Sequence, residues 1–174
     1  MNIRQSLIDD RSKANMQVIT QYVLDNPSAF KEFMDCLLSE DEMIANRAAW
    51  AYSDIAMARP EWLEPYMEAL IGELKAERHQ GIHRNILRGW RDYEFNDEYG
   101  GEVAEICFDF LQNPQETIAV RVFAMVILHN LTRPYPELGR ELALIVEEHM
   151  PFGSAGFKSR GNKVLKDLKK RGLV

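Results

Sequence analysis

A chain of 174 residues, 46% hydrophobic and 28% charged, is long enough for one domain or one short repeat array, and this composition excludes disorder over most of its length. Its two cysteines, Cys36 and Cys107, are isolated from each other and from any histidine cluster, which excludes a disulfide framework and indicates a reducing compartment. No run approaches the roughly 18 apolar residues of a membrane span and the N-terminus is charged where a signal peptide is apolar, so we expect a cytoplasmic protein with no membrane partner.

The net charge of −6 is unevenly distributed along the chain. Residues 154–174 hold seven Lys or Arg and one acid, Asp167, so this tail carries +6, while 14 basic and 26 acidic side chains give residues 1–153 a charge of −12. An acidic body repels nucleic-acid phosphates, which argues against a nucleic-acid partner. The basic tail predicts contact with an acidic partner, with phosphate or with the acidic body itself.

Apolar residues recur at helical spacing along almost the whole chain, and Pro, Gly or Asn separates the stretches, which predicts helices and no strand. The predicted helices span residues 3–8, 14–24, 29–38, 41–58, 61–77, 81–94, 102–113, 115–131 and 137–150, and a last one follows the N-cap residue Ser154. Residues 95–102 are predicted to form a loop. Because the stretch 115–131 is the most apolar, we place it at the centre of the stack.

Four arginines recur at a nearly constant interval near the start of apolar helical stretches. Arg47, Arg84 and Arg121 are 37 residues apart and Arg160 follows after 39. The aligned segments read IANRAAWAYSDIA, GIHRNILRGWRDY, IAVRVFAMVILHN and FKSRGNKVLKDLK. A period of this length, in which each repeat is a pair of antiparallel helices, is typical of HEAT and armadillo arrays.

The aligned segments resemble the HEAT repeat family, and the dipeptide Val120-Arg121 is the closest match to its pattern. The chain also resembles small bacterial HEAT-like proteins in the stretches NRAAWAYSDIA, ICFDFL, AVRVFAMVIL and SAGFKSRGNKVLK. The resemblance implies an all-α fold, a right-handed α-solenoid of antiparallel helix pairs in the manner of the HEAT and armadillo superhelix. It implies one domain over residues 1–174, with an N-terminal helical cap at 1–27, repeat units at about 28–76, 77–113 and 114–150, and a basic C-terminal helix at 154–174.

In the HEAT family an Asp six residues before the repeat arginine commonly pairs with it. Only Asp41 stands at that position here, six residues before Arg47, while the other repeats have Arg78, Gln115 and Ser154. The resemblance therefore implies a pair between Asp41 and Arg47 and leaves Arg84 without its usual acid.

The family resemblance also implies that the arginine-bearing helices line the concave face, which makes that face the expected binding surface. Arg84, Arg88 and Arg91 follow i, i+4, i+7 spacing and form one basic stripe, which faces either the acids of a neighbouring helix or a ligand. Mixtures of cations and aromatic rings are enriched at binding hot spots. The candidate binding residues are Trp50, Asp54, Arg84, Arg88, Trp90 and Arg91. We expect an interaction module or scaffold for a protein or an acidic peptide, with no cofactor and no catalysis.

Three other interpretations of the sequence stay open. Asp54 and Arg91 both stand seven residues after a repeat arginine, so the two side chains could pair between repeats. Trp50 would then pack between the two repeats. A loose resemblance to the HEAT-like alkylpurine DNA glycosylases would place Trp50 against a nucleotide, Asp54 beside developing positive charge, and Arg88 or Arg91 on phosphate. The last helix has no partner helix after it and could mediate self-association. The four histidines lack the spacing and carboxylates of a metal site.

Overall fold

The computed structural model describes all 174 residues and contains ten α-helices and no strand. The all-α prediction is confirmed. None of the ten helices combines the length and the apolarity that a membrane span requires. The helices are α1 (Ile3–Asp9), α2 (Lys13–Asp25), α3 (Phe30–Leu37), α4 (Glu42–Ala58), α5 (Met67–Lys75), α6 (Gln80–Trp90), α7 (Asp97–Gln112), α8 (Ile118–Leu131), α9 (Leu138–His149) and α10 (Ala155–Lys170).

Side-chain caps decide where most helices begin. Seven of the ten start at a residue whose side chain accepts a hydrogen bond from a backbone N–H of the first turn, which satisfies a donor with no partner inside the helix. The predicted cap Ser154 is one of them. The predicted loop 95–102 is wrong, because Asn96 caps α7 and the helix already begins at Asp97. Gly100 and Gly101 therefore lie within the helix.

The segment predicted as one helix over 61–77 is interrupted. Two 3₁₀ turns, Pro60–Trp62 and Glu64–Tyr66, precede α5, which begins at Met67. A proline stands in the first turn of each, where its missing N–H is tolerated and its fixed backbone angle suits the tight turn.

The chain forms two compact units, Met1–Tyr93 and Glu94–Val174. In the first unit α4 packs against α2, α3 and α6. In the second unit α8 packs against α7, α9 and α10, which agrees with its strongly apolar sequence. The final helix α10 is packed against both α8 and α9 through its buried side chains, Phe157, Gly161, Val164 and Leu168.

Helices α4 and α6 lie side by side in parallel. Near their N-termini the backbone N–H of His79 donates to Glu42 Oε1 at 2.7 Å, and farther along Arg88 Nη1 donates to Ser53 Oγ at 2.6 Å. These contacts join residues 37 and 35 positions apart, so the two helices run in the same direction with a nearly constant offset. The offset determines which side chains of α4 and α6 stand next to each other.

Gly89 is a point of close approach between α4 and α6. A Cβ atom at this position would lie 2.9 Å from the Cβ of Ala56 and 3.0 Å from the ring of Tyr52. Both distances are shorter than carbon atoms tolerate in a packed interior, so only glycine allows the observed helix spacing.

We predict that Gly89→Ala lowers the free energy of unfolding by a net of about 1 kcal/mol, because overpacking exceeds the helix propensity that alanine adds. Gly72 in α5 is the matched control, since a Cβ there would meet nothing within 4 Å. Gly72→Ala is expected to raise the free energy of unfolding by about 0.5–1 kcal/mol. Urea denaturation of the two variants measures both effects, and a stabilising Gly89→Ala would contradict the packing described here.

Candidate functional site

Two of the four repeat arginines bind carbonyl groups at the ends of helices. Arg47 Nη1 donates to the carbonyl oxygens of Leu7 and Ile8 in α1, at 2.7 and 2.9 Å. Arg121 Nε donates to the carbonyl oxygen of Leu111 in α7 at 3.0 Å. Carbonyls in the last turn of a helix have no partner inside it, and a cation also opposes the negative end of the helix dipole. Arg47 and Arg121 therefore have structural roles.

The expected pair between Asp41 and Arg47 does not form. Asp41 is the N-cap of α4, and its carboxylate accepts hydrogen bonds from the backbone N–H groups of Met43 and Ile44 at 3.1 and 3.3 Å. The nearest cation to that carboxylate is Arg4, at 3.8 Å. The cap geometry holds Asp41 at the start of the helix, away from the guanidinium of Arg47.

Arg88 is paired across α4 and α6. Its Nη2 lies 2.9 Å from Asp54 Oδ1, and its Nη1 donates to Ser53 Oγ. The side chains of Arg88 and Asp54 are 33% and 44% exposed, so this ion pair lies at the surface and contributes about 0–1 kcal/mol to stability. Arg84, one turn earlier on α6, is exposed and forms neither a hydrogen bond nor an ion pair.

The proposed pair between Asp54 and Arg91 is not formed, because α6 is shorter than α4. Helix α6 ends at Trp90, which leaves Arg91 at the C-cap instead of alongside Asp54. Arg91 Nε lies 2.8 Å from the carboxylate of the next residue, Asp92. Arg88 takes the place that the constant 37-residue interval assigns to Arg91.

The two candidate tryptophans occupy opposite environments. Trp90 is completely buried, with the hydroxyl of Tyr52 next to its indole. Burial raises the pKa of the Tyr52 hydroxyl. Trp50 on α4 is 38% exposed. Of the two rings, only that of Trp50 is available to a partner.

Trp50 and Arg84 are brought to the same level of the two parallel helices. Arg88 and Asp54 are 34 residues apart in the chain. Arg84 and Trp50 have the same separation and lie one turn earlier on the same two helices. We call these four exposed or half-exposed residues, Trp50, Asp54, Arg84 and Arg88, the α4–α6 surface. Of the six predicted binding residues, it contains four. Trp90 lies in the core beneath it, and Arg91 lies beyond the end of α6.

The cysteines and most of the histidines have structural surroundings. The structure contains no group of three or more His, Cys, Asp or Glu residues that could hold a metal ion. Cys36 and Cys107 are buried free thiols, and burial raises the pKa of both, which disfavours a reactive thiolate. His83 Nε2 lies 3.1 and 3.2 Å from backbone carbonyls at the end of α5, and His79 caps α6.

A family model described as a HEAT repeat domain matches residues 3–168 of the chain. The chain belongs to the HEAT repeat family. Comparisons with curated proteins and with solved structures give no match. HEAT repeats generally mediate protein–protein interaction or scaffolding, and the family is typically non-catalytic. The α4–α6 surface thus stands on two adjacent arginine-bearing helices of a HEAT repeat protein.

Ser53 lies buried beneath the α4–α6 surface and is not among the residues predicted from the sequence. Its hydroxyl accepts a hydrogen bond from Arg88 and donates one to the carbonyl oxygen of Trp50 at 3.0 Å, so it links the two residues across the helices. A buried serine among Ala and Tyr residues is a weak signal by itself. Its role depends on the offset between α4 and α6, which the repeat interval gives only within a few residues.

Proposed function

We propose that the α4–α6 surface binds an acidic segment of a protein partner. The observation that carries the proposal is the state of Arg84: Arg47 and Arg121 hold helix carbonyls, whereas Arg84 is exposed, has no partner within the chain and stands at the level of the exposed Trp50. A cation beside an exposed indole is a combination found at binding hot spots.

The chemistry of these groups indicates what the partner presents. Arg84 and Arg88 are one helical turn apart, about 6 Å on the surface of a helix, a spacing that suits two carboxylates of one peptide. A guanidinium binds a carboxylate through two parallel hydrogen bonds, which makes arginine a good anchor for Asp or Glu. Trp50 supplies an apolar contact beside them. A segment with two acidic residues flanking an apolar one fits this arrangement.

Asp54 gives the surface selectivity. It already neutralises part of the charge of Arg88, so one cation is fully available and the second is shared. A polyanion such as DNA gains little from a surface with a net charge of about +1, since its affinity depends on several phosphate contacts. The glycosylase interpretation also needs an Asp54 carboxylate directed at substrate, whereas this carboxylate is paired with Arg88 at 2.9 Å.

The test uses a pool of short acidic peptides and the purified protein. We expect peptides that combine Asp or Glu with one apolar residue to bind with salt-sensitive affinity and to perturb the NMR signals of α4 and α6. Arg84→Glu is expected to weaken such binding at least tenfold, because it places like charges opposite each other. The melting temperature should not change, because Arg84 has no partner within the chain to lose.

Lys13→Glu on α2 is the matched control, because it makes the same charge change at another exposed position of the first unit. A peptide in which Lys replaces Glu should recover affinity for the Arg84→Glu variant. Equal affinity of the Arg84→Glu and Lys13→Glu variants for the acidic peptide would remove the α4–α6 surface as the site. Release of bases from alkylated DNA by the wild-type protein would instead favour the glycosylase-like activity.

A further inference from the structure

The only acidic residue of α10, Asp167, is half-exposed and is bound by neighbouring groups. Asp167 Oδ2 lies 2.7 Å from Nε2 of His129 on α8, and Arg171 Nη1 donates to the same oxygen at 3.3 Å. Arg171 also donates to the hydroxyl and the carbonyl of Thr132, at 2.8 and 2.7 Å. The hydrogen bond from His129 is the main cause of a lowered pKa at Asp167. Asp167 and Arg171 of the basic tail thus anchor α10 to its neighbours.

The remaining cations of the tail all point to solvent. They are exposed, and none forms an ion pair or a hydrogen bond through its side chain. We call them the cationic face of α10: Lys158, Arg160, Lys163, Lys166, Lys169 and Lys170. The opposite side of the helix is buried against α8 and α9, and none of the carboxylates of the unit forms an ion pair with these cations. The acidic body leaves this charge unneutralised.

The same unit has a groove with the opposite charge. It lies along α7 and α9, has a volume of about 420 Å³, and is lined by four carboxylates and no cation. The carboxylates are Glu105, Asp109, Glu137 and Glu141, and the rings of Phe108 and Tyr135 also line the groove. Residues 94–153 hold 3 basic and 11 acidic side chains, a charge of −8, next to the +6 of residues 154–174. The second unit is therefore strongly dipolar.

We propose that copies of this chain associate head to tail, with the cationic face of α10 of one copy on the acid-lined groove of a second copy. The two surfaces are complementary in charge, and neither is satisfied within one chain. Each contact leaves a free groove at one end and a free α10 at the other, so the assembly grows without closing unless the rotation between copies forms a ring. This interface lies in the second unit and is independent of the α4–α6 surface.

The primary experiment is sedimentation velocity of the full chain over a range of concentrations, at ionic strength below and above physiological. We expect the mean mass to rise with concentration at low salt and to fall to one chain at high salt, where charges are screened within a few ångströms. Lys163→Glu/Lys166→Glu should be monomeric at low salt, and so should Glu105→Lys/Glu141→Lys. Lys13→Glu/Arg133→Glu makes the same change in net charge at exposed sites elsewhere, and it should associate as the wild type does.

Two further samples distinguish this interface from general charge attraction. An equimolar mixture of the two reversed variants keeps one compatible contact, so it should form dimers and nothing larger. A chain that carries all four reversals has a charge of +2 on the α10 face and 0 in the groove, so it should stay monomeric. A monomeric wild type at low salt, or no dimer in the equimolar mixture, would overturn the proposal. Wild type that stays monomeric but binds duplex DNA at low salt would assign the cationic face to nucleic acid instead.

Discussion

Replacing Trp90 with Ala is expected to lower the free energy of unfolding by about 3–5 kcal/mol, the usual cost of deleting a large buried aromatic ring. The Trp90 side chain is 0% exposed and packs next to Tyr52, between the two helices that Gly89 brings into contact. Its removal leaves a cavity that α4 and α6 cannot close without moving. Urea denaturation followed by circular dichroism gives the difference directly.

Trp50→Ala is the matched comparison, since it removes the same ring from the same pair of helices at a position that is 38% exposed. We expect it to cost well under half as much stability as Trp90→Ala and to weaken peptide binding at the α4–α6 surface. Trp90→Phe should fall between wild type and Trp90→Ala, because the smaller ring fills part of the space. Equal losses of stability at positions 50 and 90 would show that this division between core and surface is wrong.

The sequence contains enough to separate these two tryptophans. Trp90 follows Ile86 and Leu87 by four and three residues, so it continues the apolar stripe of α6. Trp50 follows Asn46 and Arg47 at the same spacing and precedes Asp54, so it belongs to the polar stripe of α4. The position of each tryptophan on its helical wheel predicts the exposure of the ring better than the nearness of arginines in the sequence does.

The all-helical fold and the repeat could be predicted for similar local reasons. Apolar residues at helical spacing, prolines between the stretches and cap residues such as Ser154 act within a few residues of one another. The predicted start of α7 is wrong, because two glycines favour a loop while Asn96, three residues before Tyr99, caps the helix. The glycines disfavour a helix there and the Asn96 cap favours one, and the effect of the cap is the larger.

The pairing of side chains between repeats could not be predicted in this way. A constant interval of 37 residues predicts an ion pair between Asp54 and Arg91. Asp54 pairs with Arg88 instead, because α6 ends at Trp90 and the offset between the helices is slightly smaller. Offsets of this kind depend on how closely two helices approach, which Gly89 sets here through packing. Equivalent arginines therefore have different surroundings: Arg47 and Arg121 bind helix ends, whereas Arg84 is exposed and forms no ion pair or hydrogen bond within the chain.

At the position where the HEAT family often has an Asp, six residues before Arg84, this chain has Arg78, and its side chain is almost buried. Arg78 Nε lies 3.1 Å from Glu73 Oε2, and Arg78 Nη2 donates to the carbonyl oxygen of Ser39 at 2.8 Å. The two side chains are only 16% and 15% exposed. Arg78 thus joins the end of α5 to the end of α3 while neutralising a poorly solvated carboxylate.

Arg78→Ala is expected to lower the free energy of unfolding by about 3 kcal/mol or more, because it leaves the Glu73 carboxylate without a counter-charge in a poorly solvated site. Arg78→Ala/Glu73→Ala should be more stable than Arg78→Ala alone, since removing the orphaned charge also removes its desolvation cost. A double-mutant cycle in urea gives the coupling energy. Arg59→Ala serves as control, because its ion pair with Glu61 is exposed on both sides and should contribute under about 1 kcal/mol. Additive losses at Arg78 and Glu73 would mean that the two buried charges do not stabilise each other.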